Sequence, residues 1–358
     1  RVRSSAASDV YKRQGMKSNS KAIRLLKGIG VALALPAVVL IVMELLVFTT
    51  QGTHVISSGL DVKNLIRGAG ISAAIAFALS MNMTSGRMDL SLGSQRITGT
   101  ILGGVLAAQL GLGGIWIMIF AVVFGLGLGF VVGLLYVTLR IPPMVLGLGI
   151  ACIYECIGFA VTDGVGLRLV GTDGAAMLAD VNFTIVVVAI IVVLMFILMT
   201  YTKFSYKFRA VQGNQQIARN AGINVFVNVA ICYTLAGALV AVSGVLDAAF
   251  SGSIAAAMGL TSNNSIMSNM FAMMIGGTLL SKYVNQSVGI VSAAVALKIF
   301  SMGLTCFHVS DAMSGCINML LFIAFLVYQA NAYRVDQYKS DKARIAEARA
   351  YKQAHCVG

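Results

Sequence analysis

Apolar residues gather in ten runs separated by short polar connections, at about 28–49, 65–83, 97–111, 115–138, 143–161, 182–202, 225–246, 265–281, 287–304 and 311–330. A helix that crosses a bilayer needs about 20 mainly apolar residues, and most of these runs reach that length. The pattern predicts an all-α, polytopic integral membrane protein with about ten transmembrane helices. The third and eighth runs are short and glycine-rich, so bent or partly re-entrant helices are expected there. The first run is too long for a signal-peptide core and lacks a small-residue cleavage site, so it is expected to remain as a span.

The polar segments give the domain plan. Residues 1–15 precede Met16 and read as a non-native leader, and residues 16–27 as a basic cytoplasmic tail. Residues 28–330 form the membrane domain. Residues 331–358 have mixed charge and helix-forming composition, expected at the cytoplasmic surface.

Composition strengthens the membrane reading. The chain of 358 residues is 58% hydrophobic and 11% charged, against about 45–50% and about 25% in soluble domains, and mean hydropathy is +0.88. The formal net charge of +13 does not point to nucleic acid, because the basic residues sit in connections and tails without aromatic interleaving. With ten spans and a cytoplasmic N-terminus, eighteen lysines and arginines fall on the inner side, Arg87, Arg96 and Arg140 among them. Three fall outside, namely Lys63, Arg67 and Arg168. That bias puts both termini in the cytoplasm. The outer connections lean acidic, with Asp61, Asp163, Asp173, Asp180 and Asp311.

Signatures of catalysis are missing. The chain has no P-loop, no G-x-S-x-G and no H-E-x-x-H. His54, His308 and His355 cannot be paired with a nucleophile, and the six cysteines show no CxxC spacing. No metal site is expected, and the chain is read as non-catalytic. Ionisable residues inside spans are costly and mark functional candidates. Here they are Glu44, placed mid-span, Glu155, Asp247 and Lys298, with Asn82 as a further intramembrane polar candidate. Either they line a polar pathway, or they form a buried Glu–Lys pair or snorkel to an interface; both readings stand at this point.

The connection after the sixth run, TKFSYKFRAVQGNQQIARNAGINVFVNVAICY, is basic and about 20 residues long, where a plain helix connection takes about 2–8. Gly213-Asn214 reads as a helix start and Gly222 as its stop. One short helix lying flat at the membrane surface is expected between them, either an amphipathic surface helix or a docking element for a cytoplasmic partner.

This segment resembles the coupling loop of ABC-transporter permeases of the ribose/galactose (simple sugar) type. Lys207, Arg209-Ala210, Gly213-Asn214, Ala218, Arg219 and Gly222-Ile223-Asn224-Val225 fit that pattern; Ile217 and Ala221 depart from it. A second match is Thr84-Ser85-Gly86-Arg87-Met88-Asp89-Leu90-Ser91-Leu92-Gly93-Ser94 against T-G-G-I-D-L-S-V-G-S, with Arg87-Met88 in place of a single Ile. Ile141-Pro142-Pro143-Met144-Val145-Leu146-Gly147-Leu148-Gly149 is similar to V-P-P-F-I-A-T-L-G, and Ile275-Gly276-Gly277-Thr278 to a late G-G-x-S/T. The four matches run in order over about residues 65–330.

The resemblance implies the pore subunit of a binding-protein-dependent importer in a bacterial cell membrane. A second permease copy would complete the pore, and a separate ATPase subunit would carry the ATP and Mg. An extracytoplasmic binding protein would deliver a sugar or similar small polar solute, moved by alternating access. By the same resemblance Arg209, Gly213, Asn214, Ala218, Arg219, Gly222, Ile223 and Asn224 would couple to the ATPase. Asp89, Ser91, Gly93, Pro142 and Pro143 would lie near the pathway. The alternative is an ion-coupled secondary transporter without an ATPase partner.

Overall fold

The computed structural model describes residues 28 and 30–355; the expected leader and basic N-tail lie outside them. The chain divides into two units, Arg1–His308 and Val309–Gly358. In the first, α1 spans Gly30–Gln51. It is followed by α2 (Gly59–Met83), α3 (Leu92–Gln109), α4 (Ile115–Leu139) and α5 (Pro143–Val161). After a two-residue strand β1 (Leu167–Arg168) come α6 (Ala175–Ala179), α7 (Val181–Tyr201), α8 (Lys203–Gly213), α9 (Gln215–Asn220) and α10 (Val225–Ser251). Strand β2 (Ser253–Ile254), α11 (Asn263–Met274) and α12 (Gln286–Cys306) complete it. The second unit contains α13, Asp311–His355. No glycine or proline interrupts residues 316–355, so the helix passes unbroken through residue 330, the boundary expected between membrane domain and tail.

Each of the ten apolar runs contains a helix, and eight helices among the described residues are long and apolar enough to cross a membrane. The exceptions are the two runs marked as short. The eighth is broken: α11 passes into a π-turn at Ile275–Leu279 and a 3-10 turn at Leu280–Lys282. A Cβ on Gly276 would come within 2.5 Å of Ile290 Cα, so this glycine lets α12 approach the irregular segment. The third run, α3, buries Ser94, Gln95, Arg96, Thr98 and Thr100. It is surrounded by protein, which explains why it carries polar residues that lipid would penalise.

Close packing holds the centre together. Glycines 125, 129 and 133 of α4, spaced four apart, face α10: a Cβ on Gly129 would meet the Tyr233 carbonyl at 2.4 Å. Small residues at this spacing let two membrane helices make backbone contact, where lipid supplies no hydrophobic drive between them. Local signals set the ends. Ser58 caps α2 in a capping box with Asp61, which satisfies amide groups that the first turn leaves open. Pro143 occupies the first turn of α5, a position that needs no amide hydrogen.

The connections collect at two ends, as alternating spans require. At one end Gln215 reaches the Ser85 carbonyl at 3.4 Å and Asn285 reaches Thr200 at 3.0 Å. At the other, β1 pairs antiparallel with β2, and Leu169 N–H donates to the Gly252 carbonyl at 2.9 Å. Arg67 there bonds the Ala179 carbonyl and lies over the Phe250 ring at 5.3 Å.

Candidate functional site

The segment before the expected short helix is itself helical. Phe208 and Val211 of α8 are buried, and Arg209 donates to the Met199 carbonyl at 2.7 Å, tying α8 to the end of α7. The basic composition of this stretch hid its amphipathic period. Asn214 then caps α9: its Oδ1 accepts from the amides of Gln216 and Ile217 at 2.9 and 3.1 Å. Gly222 closes the helix at φ 79°, with Gly222 N–H bonded to the Arg219 carbonyl and Ile223 N–H to the Ala218 carbonyl. That double bond pattern ends a helix on a left-handed residue, which favours glycine. Gly213, read with Asn214 as the helix start, completes α8 with helical geometry and open space at its Cβ position. Ala218 is buried, while Ile217 is 67% exposed and Arg219 is exposed. Asn224 caps α10 by accepting from Val227 N–H at 3.2 Å.

Between α9, the end of α4 and the start of α10 lies a cleft of about 1290 Å³, lined in part by Tyr136, Arg140, Gln215 and Arg219. Arg140 holds a left-handed backbone, φ 54°, immediately before Pro142 and Pro143 begin α5. The cleft is thus of mixed polar and apolar lining and carries two arginines.

The Thr84–Ser94 run is joined to α9 by Gln215, which donates to the Ser85 carbonyl at 3.4 Å. Asp89 Oδ1 accepts from Ser91 N–H at 2.9 Å and from Ser91 Oγ at 2.6 Å, and Gln95 Nε2 donates to Ser91 Oγ at 2.8 Å. Burial in this connection pushes the Asp89 carboxyl above its ordinary range, against the bonds from Ser91. Gly93 permits close approach: its Cβ would lie 2.4 Å from the Ser262 carbonyl. Gly147 of α5 plays the same part toward Leu90 N, at 2.8 Å. The D-L-S run, the Pro-Pro start of α5 and the start of α11 therefore meet in one place.

Three of the intramembrane candidates belong to internal ties. Glu155, 1% exposed, accepts from Leu260 N–H at 2.9 Å, Ser262 N–H at 3.2 Å and Ser262 Oγ at 2.5 Å. It pins the segment leading into α11. It does not pair with Lys298. Asp247 instead pairs with Arg96, and Lys298 packs against Gly68. Glu44 lies in the last two turns of α1 and not mid-span; it bonds His54 Nδ1 at 2.5 Å and Val55 N–H at 3.0 Å. Asn82 is buried, and neither of its amide atoms has a partner among the described residues.

One of the arginines read as loop charges, Arg96, lies within α3, while Arg87 lies as expected in the connection between α2 and α3 but is buried there. Arg87 is 1% exposed and Arg96 is 5% exposed. For Arg96 a signal existed, since the helix begins before the apolar run and puts position 96 on its interior.

The architecture matches known proteins. Residues 62–326 match the family described as branched-chain amino acid transport system / permease component. The autoinducer 2 import system permease protein LsrC of Yersinia enterocolitica is 27% identical over 238 residues, 65% of this chain and 65% of the relative. The chain thus spans just under two thirds of that protein. The ribose import permease protein RbsC of Bacillus subtilis is 24% identical over 70% of this chain and 79% of its own. The galactose/methyl galactoside import permease protein MglC of Escherichia coli is 22% identical over 75% and 85%. In fold, the chain is similar to an inward-facing transporter assigned to the metal-chelate ABC type, with TM-score 0.51 and 12% identity over 84% of this chain and 99% of the other. This chain is a multi-pass membrane protein that belongs to the branched-chain amino acid transport system / permease component family, with ribose and galactose import permeases among its relatives.

Proposed function

We propose that this chain is the translocation subunit of an ATP-binding-cassette importer for a sugar or similar small polar solute. Two permease copies form the pathway, a separate ATPase carrying ATP and Mg drives alternating access, and an extracytoplasmic binding protein delivers the solute. The chain itself catalyses nothing. Both termini and residues 203–224 face the cytoplasm. One observation carries the reading: α9, capped by Asn214 and closed by Gly222, presents exposed Ile217 and Arg219 beside a cleft of about 1290 Å³. Both ends of this helix are fixed and its outer side is uncovered. An ATPase seated on it would transmit movement through α9 to the D-L-S run by way of Gln215 and Ser85.

The test is reconstitution with a candidate ATP-binding-cassette ATPase subunit. Co-purification and solute-stimulated ATP hydrolysis in liposomes are expected, and both should fall when Arg219 becomes Glu. Uptake that survives ATP depletion and collapses with the proton or sodium gradient would overturn the proposal in favour of a secondary transporter.

A further inference from the structure

The cleft beside α9 adjoins a second cavity. An apolar groove of about 460 Å³ lies between α4 and α10, lined in part by Phe130, Leu134, Phe226, Ala230, Ile231 and Thr234. Phe226 lines both cleft and groove. The helical period carries the path from one to the other: on α4, Phe130 and Leu134 lead to Thr138 of the cleft, and on α10, Thr234 and Ala230 lead to Phe226. Along α10 the groove reaches from Phe226 to Leu235, which is about 13 Å at the helical rise of about 1.5 Å per residue. One leaflet supplies about 15 Å of hydrocarbon.

The polar end of this path is basic. Arg140 follows the last residue of α4, and Asn224 caps α10, so the cleft sits where both spans leave the apolar layer. Arg140 and Arg219 line it, and no acidic residue lines either cavity. Both arginines are exposed, and neither forms an ion pair among the described residues. Arg140 is held at φ 54°, a backbone that L residues seldom adopt and that glycine takes freely. A turn alone would favour glycine there, which points to a use for the guanidinium.

We propose that cleft and groove together hold one anionic phospholipid, with its phosphate between Arg140 and Arg219 and an acyl chain along the α4–α10 groove. The fork of guanidinium donors fits a phosphate bidentately, and the apolar groove removes the chain from water. A free phosphate would leave the groove unfilled, and a zwitterionic lipid would bring a second cation beside the arginines. The site needs the membrane assignment and not the importer mechanism. In the orientation proposed above, its headgroup belongs to the cytoplasmic leaflet, which is the anionic one.

The test uses the full chain in dodecyl maltoside micelles, without an ATPase. Melting temperature is titrated with dioleoyl phosphatidylglycerol, dioleoyl phosphatidylcholine and glycerol 3-phosphate. A saturable rise is expected with phosphatidylglycerol, a weaker one with phosphatidylcholine and none with glycerol 3-phosphate. Arg140→Gln and Arg219→Gln should each raise the half-saturating concentration of phosphatidylglycerol about fivefold, the scale of one basic residue at an anionic membrane surface. Arg140→Lys, which keeps the charge, should raise it less, and it decides the matter if the Gln variant does not fold. Arg168→Gln, on β1 at the opposite end, should titrate like the parent. Equal responses to the two lipids, a response to glycerol 3-phosphate as large as that to phosphatidylglycerol, or titrations unchanged in the Arg140 and Arg219 variants overturn the lipid site. Arg140-dependent co-purification of an ATPase without a phosphatidylglycerol effect would assign the cleft to that protein instead. The importer reading fails differently: an Arg140-dependent lipid response without ATP-driven uptake sinks that reading and leaves the lipid site standing.

Discussion

The Gln215 side chain, on the first residue of α9, donates to the Ser85 carbonyl at 3.4 Å across 130 positions of sequence. It is a direct tie between the helix proposed to receive the ATPase and the connection that carries Arg87 and Asp89. A long neutral hydrogen bond of this kind contributes about 1 kcal/mol. Gln215→Leu should therefore leave ATPase co-purification intact while lowering transport per ATP several-fold. Transport per ATP equal to that of the parent would show that force reaches the D-L-S run by another route.

The two glycines around α9 should respond in opposite ways. Gly222 sits at φ 79°, where a β-branched residue is strained by about 1–3 kcal/mol. Gly222→Val should unseat the end of α9 and reduce solute-stimulated ATP hydrolysis. Gly213 is helical with nothing within 4 Å of a built Cβ, so Gly213→Ala should be neutral or stabilise by about 0.5–1 kcal/mol. Melting temperature and hydrolysis measured on both variants check the contrast.

Glu155 makes three accepted bonds from Leu260 and Ser262, and so acts on the positioning of α11. Glu155→Leu removes all three and leaves buried amides unsatisfied, at about 1–3 kcal/mol each. Glu155→Gln keeps one acceptor oxygen and should lose less. The measurement is melting temperature beside the solute concentration for half-maximal uptake. A change in the latter without a change in the former would make Glu155 a pathway residue.

Much of this was legible in the sequence because lipid leaves few options. Runs of about 20 apolar residues had to be helices, and Asn214 and Gly222 punctuated α9 by cap chemistry that acts within a few residues. What stayed hidden depended on partners distant in sequence. Arg96 reads as a loop charge until Asp247, 151 residues later, is seen beside it. Glu155 reads as a pathway carboxylate or as the partner of Lys298 until the backbone at Leu260 is seen to close on it. The length of α13 escaped for another reason: composition changes near residue 333 while helix propensity does not.

The interior pair yields an ordered prediction. The Arg96 side chain is 7% exposed and that of Asp247 is 40% exposed. Asp247→Asn strands a buried cation, and stranding a buried charge costs about 3–5 kcal/mol; Arg96→Met leaves a carboxylate that water can still reach. Melting temperatures should fall further for Asp247→Asn than for Arg96→Met, and the double variant should recover part of the loss. A strictly additive double variant would mean that the two side chains do not act as a pair.

Topology can be read independently of transport. If charge bias governs orientation, cysteines at 173 and 214 in an otherwise cysteine-free chain lie on opposite sides. Asp173 belongs to the end that carries β1 and α6, where its carbonyl packs on Gly113. Asn214 belongs to the end that carries α9. An impermeant maleimide added to intact cells should label position 173 and spare position 214, and position 345 of α13 should be spared as well. Permeabilised cells should then label 214 and 345. Labelling of 214 in intact cells would invert the orientation and remove α9 from reach of any cytoplasmic ATPase, and the importer mechanism would fall with it.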